Sequence, residues 1–221
     1  LFLSDRAASV TGHNDVFSTR ADGSGEAGLV LDAERSVSGA RWSSDGAWLL
    51  FSTSFEGPTS SDILGVRLGT DTAPVPLITS RFLDYAPALS PDGRWLAYSS
   101  EGGLFVVPFP ATDDARWLVA GGSSTQPAWS SDGTELFYVA IDGTSASATV
   151  FSAKVVAGAE FSVVETEAIS THRSAAFAPT RLYAVTPDDQ RLLVMETIPQ
   201  EESEVVLVQN FYTVLQQMFG N

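Results

Sequence analysis

Apolar residues recur two positions apart through most of the chain, in short runs broken by Asp-Gly, Pro and Ser-rich clusters. A period of two buries one face of a β-strand, and Ser/Pro-Asp-Gly between two such runs is hairpin-turn chemistry. Four segments set the rhythm: Ala40-Arg41-Trp42-Ser43-Ser44-Asp45-Gly46, Pro87-Ala88-Leu89-Ser90-Pro91-Asp92-Gly93, Pro127-Ala128-Trp129-Ser130-Ser131-Asp132-Gly133 and Tyr183-Ala184-Val185-Thr186-Pro187-Asp188-Asp189. Their aspartates lie 47, 40 and 56 residues apart. That spacing scatters around the ~40–50 residues of a four-stranded propeller blade.

Each repeat predicts the same hairpin. Trp42, Leu89, Trp129 or Val185 precedes the aspartate by three positions, and Leu49, Leu96, Leu136 or Leu192 follows it by four. Phe51, Tyr98, Tyr138 and Val194 follow by six. These positions predict one buried face on the first two strands, with Trp42 and Trp129 packing inside the blade. A third alternating run comes next: Asp15 to Phe17, Asp62 to Val66, Leu104 to Val107 and Val150 to Val155. A fourth follows: Gly28 to Leu31, Val75 to Ile78, Trp117 to Val119 and Phe161 to Val164.

The expected fold is therefore all-β, a β-propeller of four-stranded antiparallel blades. Leu1-Phe2-Leu3-Ser4 aligns with the second strand, so the chain should hold about three whole and two partial blades, with further blades upstream. The expected divisions are a partial blade over 1–35, blades over 36–80, 81–120 and 121–170, and a partial last blade over 171–210. Phe211, Val214, Leu215, Met218 and Phe219 then recur at helical spacing after Asn210, which predicts a C-terminal helix over 211–221.

Charge narrows the partners. The 221 residues carry 27 Asp and Glu against 12 Lys and Arg, a net charge of −15. So acidic a surface repels phosphate, which argues against nucleic acid. Charged residues are only 18% and hydrophobic ones 44%, too apolar for a disordered chain. The longest aliphatic run, Val205 to Val208, falls far short of the ~18 residues that span a bilayer. No membrane insertion by this segment is expected. There is no cysteine, hence no disulfide and no thiolate chemistry.

Candidate catalytic groups are few, and bland readings outweigh them. The turn aspartates Asp45, Asp92, Asp132 and Asp188 read as acceptors of backbone hydrogen bonds within their own turns rather than as metal ligands. His13 and His172 lack the paired spacing of a zinc site. No Gly-x-Ser-x-Gly elbow and no phosphate-cradling Gly-Lys-Ser/Thr loop occurs, and Gly23-Ser24-Gly25 serves a turn. Glu196, Glu201, Glu202 and Glu204 around Pro199 read as a solvated loop, not as a glycosidase pair. The reading is of no enzyme, no cofactor and no metal.

One concavity remains. First strands of a propeller line its central shaft, and the loops at the mouth form a site. Seven residues before each turn aspartate stand Ser38, Tyr85, Thr125 and Arg181, with Asp84 and Gln126 beside them. These residues vary in chemistry where the repeat otherwise holds its type, and they are the candidate binding rim for a protein or small-molecule ligand.

The repeat resembles the TolB-type propeller repeat, whose hallmark is a Pro-x-Trp-Ser-Pro-Asp-Gly turn followed by an apolar strand. Gln126 to Tyr138 matches apart from Ser131, and Ala86 to Tyr98 apart from Leu89. The ordered series from Leu104-Phe105-Val106-Val107-Pro108-Phe109-Pro110 through Arg116-Trp117, the Trp129 turn and the Val185 turn to Val205–Leu215 also resembles the C-terminal propeller of receptor-like bacterial serine/threonine kinases. There Asn210-Phe211 stands where an Asn-Trp pair is usual, and Asp189 replaces glycine. The resemblance implies an extracytoplasmic sensor or interaction module of a membrane-anchored parent. Kinase catalytic loops are absent from this sequence, so no kinase activity is expected in it.

Overall fold

The computed structural model describes residues 1–4, 14–33, 35–53, 61–142, 147–173, 181–195 and 205–208. Among these are β1 (Phe2–Ser4), β2 (Asp15–Ser18), β3 (Gly28–Leu31), β4 (Val37–Trp42), β5 (Trp48–Thr53), β6 (Ile63–Arg67), β7 (Val75–Ile78), β8 (Tyr85–Leu89) and β9 (Trp95–Ser100). Then follow β10 (Gly103–Pro108), β11 (Trp117–Gly121), β12 (Ser124–Trp129), β13 (Glu135–Asp142), β14 (Ser147–Ala157), β15 (Phe161–Arg173), β16 (Tyr183–Val185), β17 (Leu192–Met195) and β18 (Val205–Val208). No helix occurs among the described residues. The helix expected over 211–221 lies outside them.

Sequence neighbours are sheet neighbours throughout. The strands form five meanders in the orders β1-β2-β3, β4-β5-β6-β7, β8-β9-β10-β11, β12-β13-β14-β15 and β16-β17-β18. Two compact units share them: residues 1–101 with 107–116, and residues 102–106 with 117–221. Each has its own core. In the first, Val16, Leu31, Val37, Leu49, Phe51 and Val66 pack the first meander against the second. In the second, Phe137, Val139, Ala148 and Val150 pack against Leu182, Tyr183, Leu192 and Val194.

The repeat alignment sets the register. Trp42 pairs with Leu49, Leu89 with Leu96, Trp129 with Leu136 and Val185 with Leu192. Burial differs from the sequence expectation on the first-strand side. The four leucines are buried, but Trp42 is 38% exposed and Leu89, Trp129 and Val185 are half-buried. They stand at the turn end of their strands, where the sheet runs out and fewer neighbours can cover them. Trp129 meets the Phe161 ring edge-on, at 6.3 Å between centroids. The second strands β5 and β9 are instead buried on both faces, over Leu49–Thr53 and Trp95–Ser100, whereas β17 alternates buried and exposed residues. A central strand covered on both sides has no solvent face, so its polar residues Ser52, Thr53, Ser99 and Ser100 are buried too.

The fourth meander departs most from the expected lengths. β14 and β15 have 11 and 13 residues, against four or five for the outer strands β3, β7 and β11. β15 therefore runs to Arg173, past the blade limit expected at residue 170. In β10, Gly103 adopts φ +146, and a Cβ there would sit 2.1 Å from the Ala120 carbonyl oxygen. Only glycine fits so close a backbone approach.

Candidate functional site

The two ends of the first strands are built on different plans. At the turn end the plan is one and the same four times. The hydroxyl of Ser43, Ser90, Ser130 or Thr186 donates to the carboxylate of the aspartate two residues on, Asp45, Asp92, Asp132 or Asp188. That carboxylate also accepts the N–H two residues further, from Ala47, Arg94, Thr134 or Gln190. The same hydroxyl oxygen accepts the N–H of Trp48, Trp95, Glu135 or Arg191 across the turn. Gly46, Gly93 and Gly133 take φ near +70, and Asp189 takes +55 in their stead.

These contacts act on charge. The Ser43 hydroxyl first, then the Ala47 N–H, holds the Asp45 carboxyl below its ordinary value. The Thr134 N–H and the Ser130 hydroxyl do so for Asp132, and the Thr186 hydroxyl and Gln190 N–H for Asp188. For Asp92 partial burial works in the opposite direction, yet Ser90 and Arg94 outweigh it. The turn aspartates are ionised, and in Asp45, Asp132 and Asp188 one carboxylate oxygen takes both the hydroxyl and the N–H of the turn. The hydroxyl two residues before each was a legible signal that the sequence reading passed over.

At the leading end each strand is different. In the first unit Ser38 is exposed on β4, its hydroxyl lying 3.3 Å from the Thr53 carbonyl oxygen. Tyr85 opens β8 and is 37% exposed. Asp84 beside it is 1% exposed, and its two carboxylate oxygens accept 2.6 Å hydrogen bonds from Ser80 and Ser100. Its backbone N–H donates to the Ser61 carbonyl, and its own carbonyl accepts the Ser61 hydroxyl. The Asp84 backbone thus ties β8 to the preceding meander through Ser61, while its buried carboxylate is held by Ser80 and Ser100. Arg35 and Asp62, which the sequence reading did not single out, make a half-buried ion pair of 3.1 Å in the same unit.

The second unit repeats the contrast. Thr125 is buried, and the Gln126 carboxamide oxygen accepts the Leu182 N–H at 2.7 Å while its carbonyl accepts the Tyr183 hydroxyl at 2.8 Å. Half-buried Gln126 thus ties β12 to the Leu182–Tyr183 segment of the last meander. Arg181 is half-buried over the Tyr183 ring, at 5.4 Å from its centroid, and its buried Nε has no hydrogen-bond partner among the described residues. Ala86 and Gln126 sit at φ +54 and +58, inside irregularities of β8 and β12 just before Pro87 and Pro127. Left-handed backbone is costly for residues with a Cβ, and it is held where the surroundings over-determine it.

Of the other candidates, His172 lies on β15 with its Nε2 against the Ser170 hydroxyl. His13, Glu196, Glu201, Glu202 and Glu204 fall outside the described residues. No cluster of three His, Asp or Glu suited to a metal occurs among the described residues.

No protein-family model and no curated protein matches this sequence. Solved structures do. The TolB of Acinetobacter baumannii superposes with a TM-score of 0.66 at 15% identity, over 89% of this chain and 46% of its own. A TolB-like protein of Agrobacterium tumefaciens gives 0.53 at 15%, over 72% and 58%. A puromycin-hydrolysing peptidase of Mycobacterium tuberculosis gives 0.60 at 19%, over 90% and 33%. The chain spans about half the length of the first of these. Such identities establish the fold, a propeller of antiparallel blades, and leave activity to be argued from the residues.

Proposed function

We propose that this chain is a non-catalytic binding module that recognises a protein or small-molecule ligand through the leading ends of its first strands. The observation that carries the reading is the contrast just described. Four turn ends share one hydrogen-bond plan, while Ser38 and Tyr85 in one unit and Arg181 in the other present different chemistry on strands of equivalent position. Asp84, Thr125 and Gln126 hold those strands in place. The sequence offers no nucleophile elbow and no phosphate loop to support turnover.

The finer reading is an extracytoplasmic sensor or interaction domain of a bacterial signalling receptor, supported by the kinase-propeller resemblance. A TolB-like scaffold that binds partner proteins is the second reading, supported by the Acinetobacter superposition. The peptidase among the neighbours keeps a third open, a substrate-gating propeller of a hydrolase. The gene sequence beyond these 221 residues separates them: a kinase domain with a membrane helix, a signal peptide with a small α/β domain, or a hydrolase domain.

The binding site is tested by placing a photo-reactive phenylalanine analogue at Tyr85 or at the exposed turn residue Ala47, and irradiating cells of the native bacterium. Adducts at position 85 and none at 47 support the reading. Adducts at 47 alone, or at neither, contradict it.

A further inference from the structure

The outer strands of the meanders are protected unequally. Folded proteins blunt sheet edges by keeping them short or by placing proline or lysine on them, because a bare edge is a template for another strand. β3 and β7 have four residues, β7 carries Pro76, and β11 has five. β15 has 13 residues, with no proline, glycine or lysine among them. It is the outermost strand of its sheet and pairs with β14 from Phe161 to Arg173, with bulges at Val164 and Ile169 that leave Glu165 to Ala168 as the regular stretch between them. The Phe161 end lies against Trp117 and Trp129. Beyond it, Val164 is 67% exposed, and Val156 on β14 is 55% exposed.

Charge on one face of this sheet selects the occupant. Glu135, Lys154 and Glu165 stand in one cross-strand row, and Glu167 is two residues along β15 from Glu165, on the same face. Lys154 reaches Glu165 at 2.9 Å, while the Ser152 hydroxyl donates to Glu135 at 2.6 Å. One ammonium faces three carboxylates, all of which act on it.

We propose that the outer edge of β15, from Val163 to Thr171, is a strand-addition site for an extended basic segment of a partner protein. An added strand would lie ~4.8 Å from β15 and complete its backbone hydrogen bonds. Lysine or arginine at alternate positions would then stand beside Glu165 and Glu167, the cross-strand pairing that favours opposite charges. Its apolar positions would cover Val164. A second copy of this chain is the wrong occupant, because antiparallel β15 strands would set glutamate rows side by side in a dimer of two chains of charge −15. This surface is separate from the leading ends and is tested separately from them.

The probe is a nine-residue peptide alternating lysine with valine, titrated into the 221-residue chain and followed by fluorescence anisotropy and hydrogen exchange. Binding should slow exchange over residues 163–171. The same peptide N-methylated at alternate amides keeps its charge but cannot add as a strand, and should bind at least tenfold more weakly. The Glu165→Lys, Glu167→Lys chain should lose the lysine peptide by a similar factor and bind a glutamate-valine peptide instead. Several results would overturn the proposal: no binding, equal binding of the N-methylated peptide, protection confined to other strands, or indifference to the charge reversal. A peptide-free dimer that itself protects 163–171 would also overturn it, in favour of a second copy.

Discussion

The turn ends and the leading ends of the first strands face opposite demands, and the chain meets them with opposite chemistry. At the turn ends a Ser or Thr, an Asp and a residue in left-handed backbone close the hairpin within six residues, so the bonds that close it are local, and Ser44 and Ser131 add bonds to the Pro91 carbonyl and the Asp189 carboxylate of other turns. At the leading ends further partners come from other meanders: Ser61 for the backbone of Asp84, 23 residues away, and Gln126 for Leu182, 56 residues away. Local closure can be copied from repeat to repeat. Long-range anchoring cannot, because each leading end meets a different neighbour.

The largest effect should come from breaking a leading-end strut. Asp84→Ala removes the acceptor of two buried, charge-assisted hydrogen bonds and should cost about 3 kcal/mol in urea unfolding, once relief from burying the charge is set against it. A loss under about 1 kcal/mol would mean that Ser80 and Ser100 find other acceptors.

Next comes a turn. Ser90 is 2% exposed and bonds both Asp92 and the Trp95 N–H, so Ser90→Ala should cost about 1–2 kcal/mol. Exposed Ser44, bonded only to the Pro91 carbonyl oxygen among the described residues, should cost about 0.5 kcal/mol or less when changed to alanine. Equal losses at the two serines would remove the turn plan's claim to stability.

A smaller effect, of opposite sign, is expected at Ala86. Glycine relieves the strain of φ +54, and Ala86→Gly should be stabilising by up to about 1 kcal/mol. Ala88→Gly, two residues on in a buried strand position, should destabilise by about 1 kcal/mol. Thermal melts of the two variants moving in the same direction would contradict the strain.

The smallest effects belong to the turn carboxylates one at a time. Their folded pKa values are depressed, so the stability they confer is full above the unfolded value of ~3.9 and is lost as pH falls through the folded values. Urea midpoints should therefore drop as pH falls below about 4. Asp132→Asn should flatten that drop slightly, and an unchanged slope would show that Asp132 does not contribute to it.

What was legible in the sequence follows the same division. Apolar spacing around Trp42, Leu89, Trp129 and Val185 placed all four hairpins in register, because pairing across a short turn depends only on nearby residues. Burial of those same residues was misread, since cover depends on what lies beyond the sheet margin. Variation at Ser38, Tyr85 and Arg181 marked the leading ends as unlike one another. It could not separate exposed Tyr85 from buried Asp84, adjacent in sequence, because the hydroxyls that bury Asp84 come from Ser80 and Ser100 through folding. The length of β15 was missed for a related reason. Glu165, Thr166 and Glu167 interrupt the apolar alternation, and only pairing with β14 shows that the strand continues.

Exchanging modules between repeats tests the central claim most directly. Giving the second repeat the third's turn (Pro91→Ser, Arg94→Thr) keeps the Ser90 and Asp92 bonds that close the hairpin and the backbone carbonyl that Ser44 meets. Giving it the third's leading end (Asp84→Ser, Tyr85→Thr, Ala86→Gln) removes the buried carboxylate that Ser80 and Ser100 share. Urea unfolding should show the turn exchange costing about 0.5 kcal/mol and the leading-end exchange about 3 kcal/mol. Equal costs, or a costlier turn, would contradict the division of the first strands into an interchangeable end and an individual one.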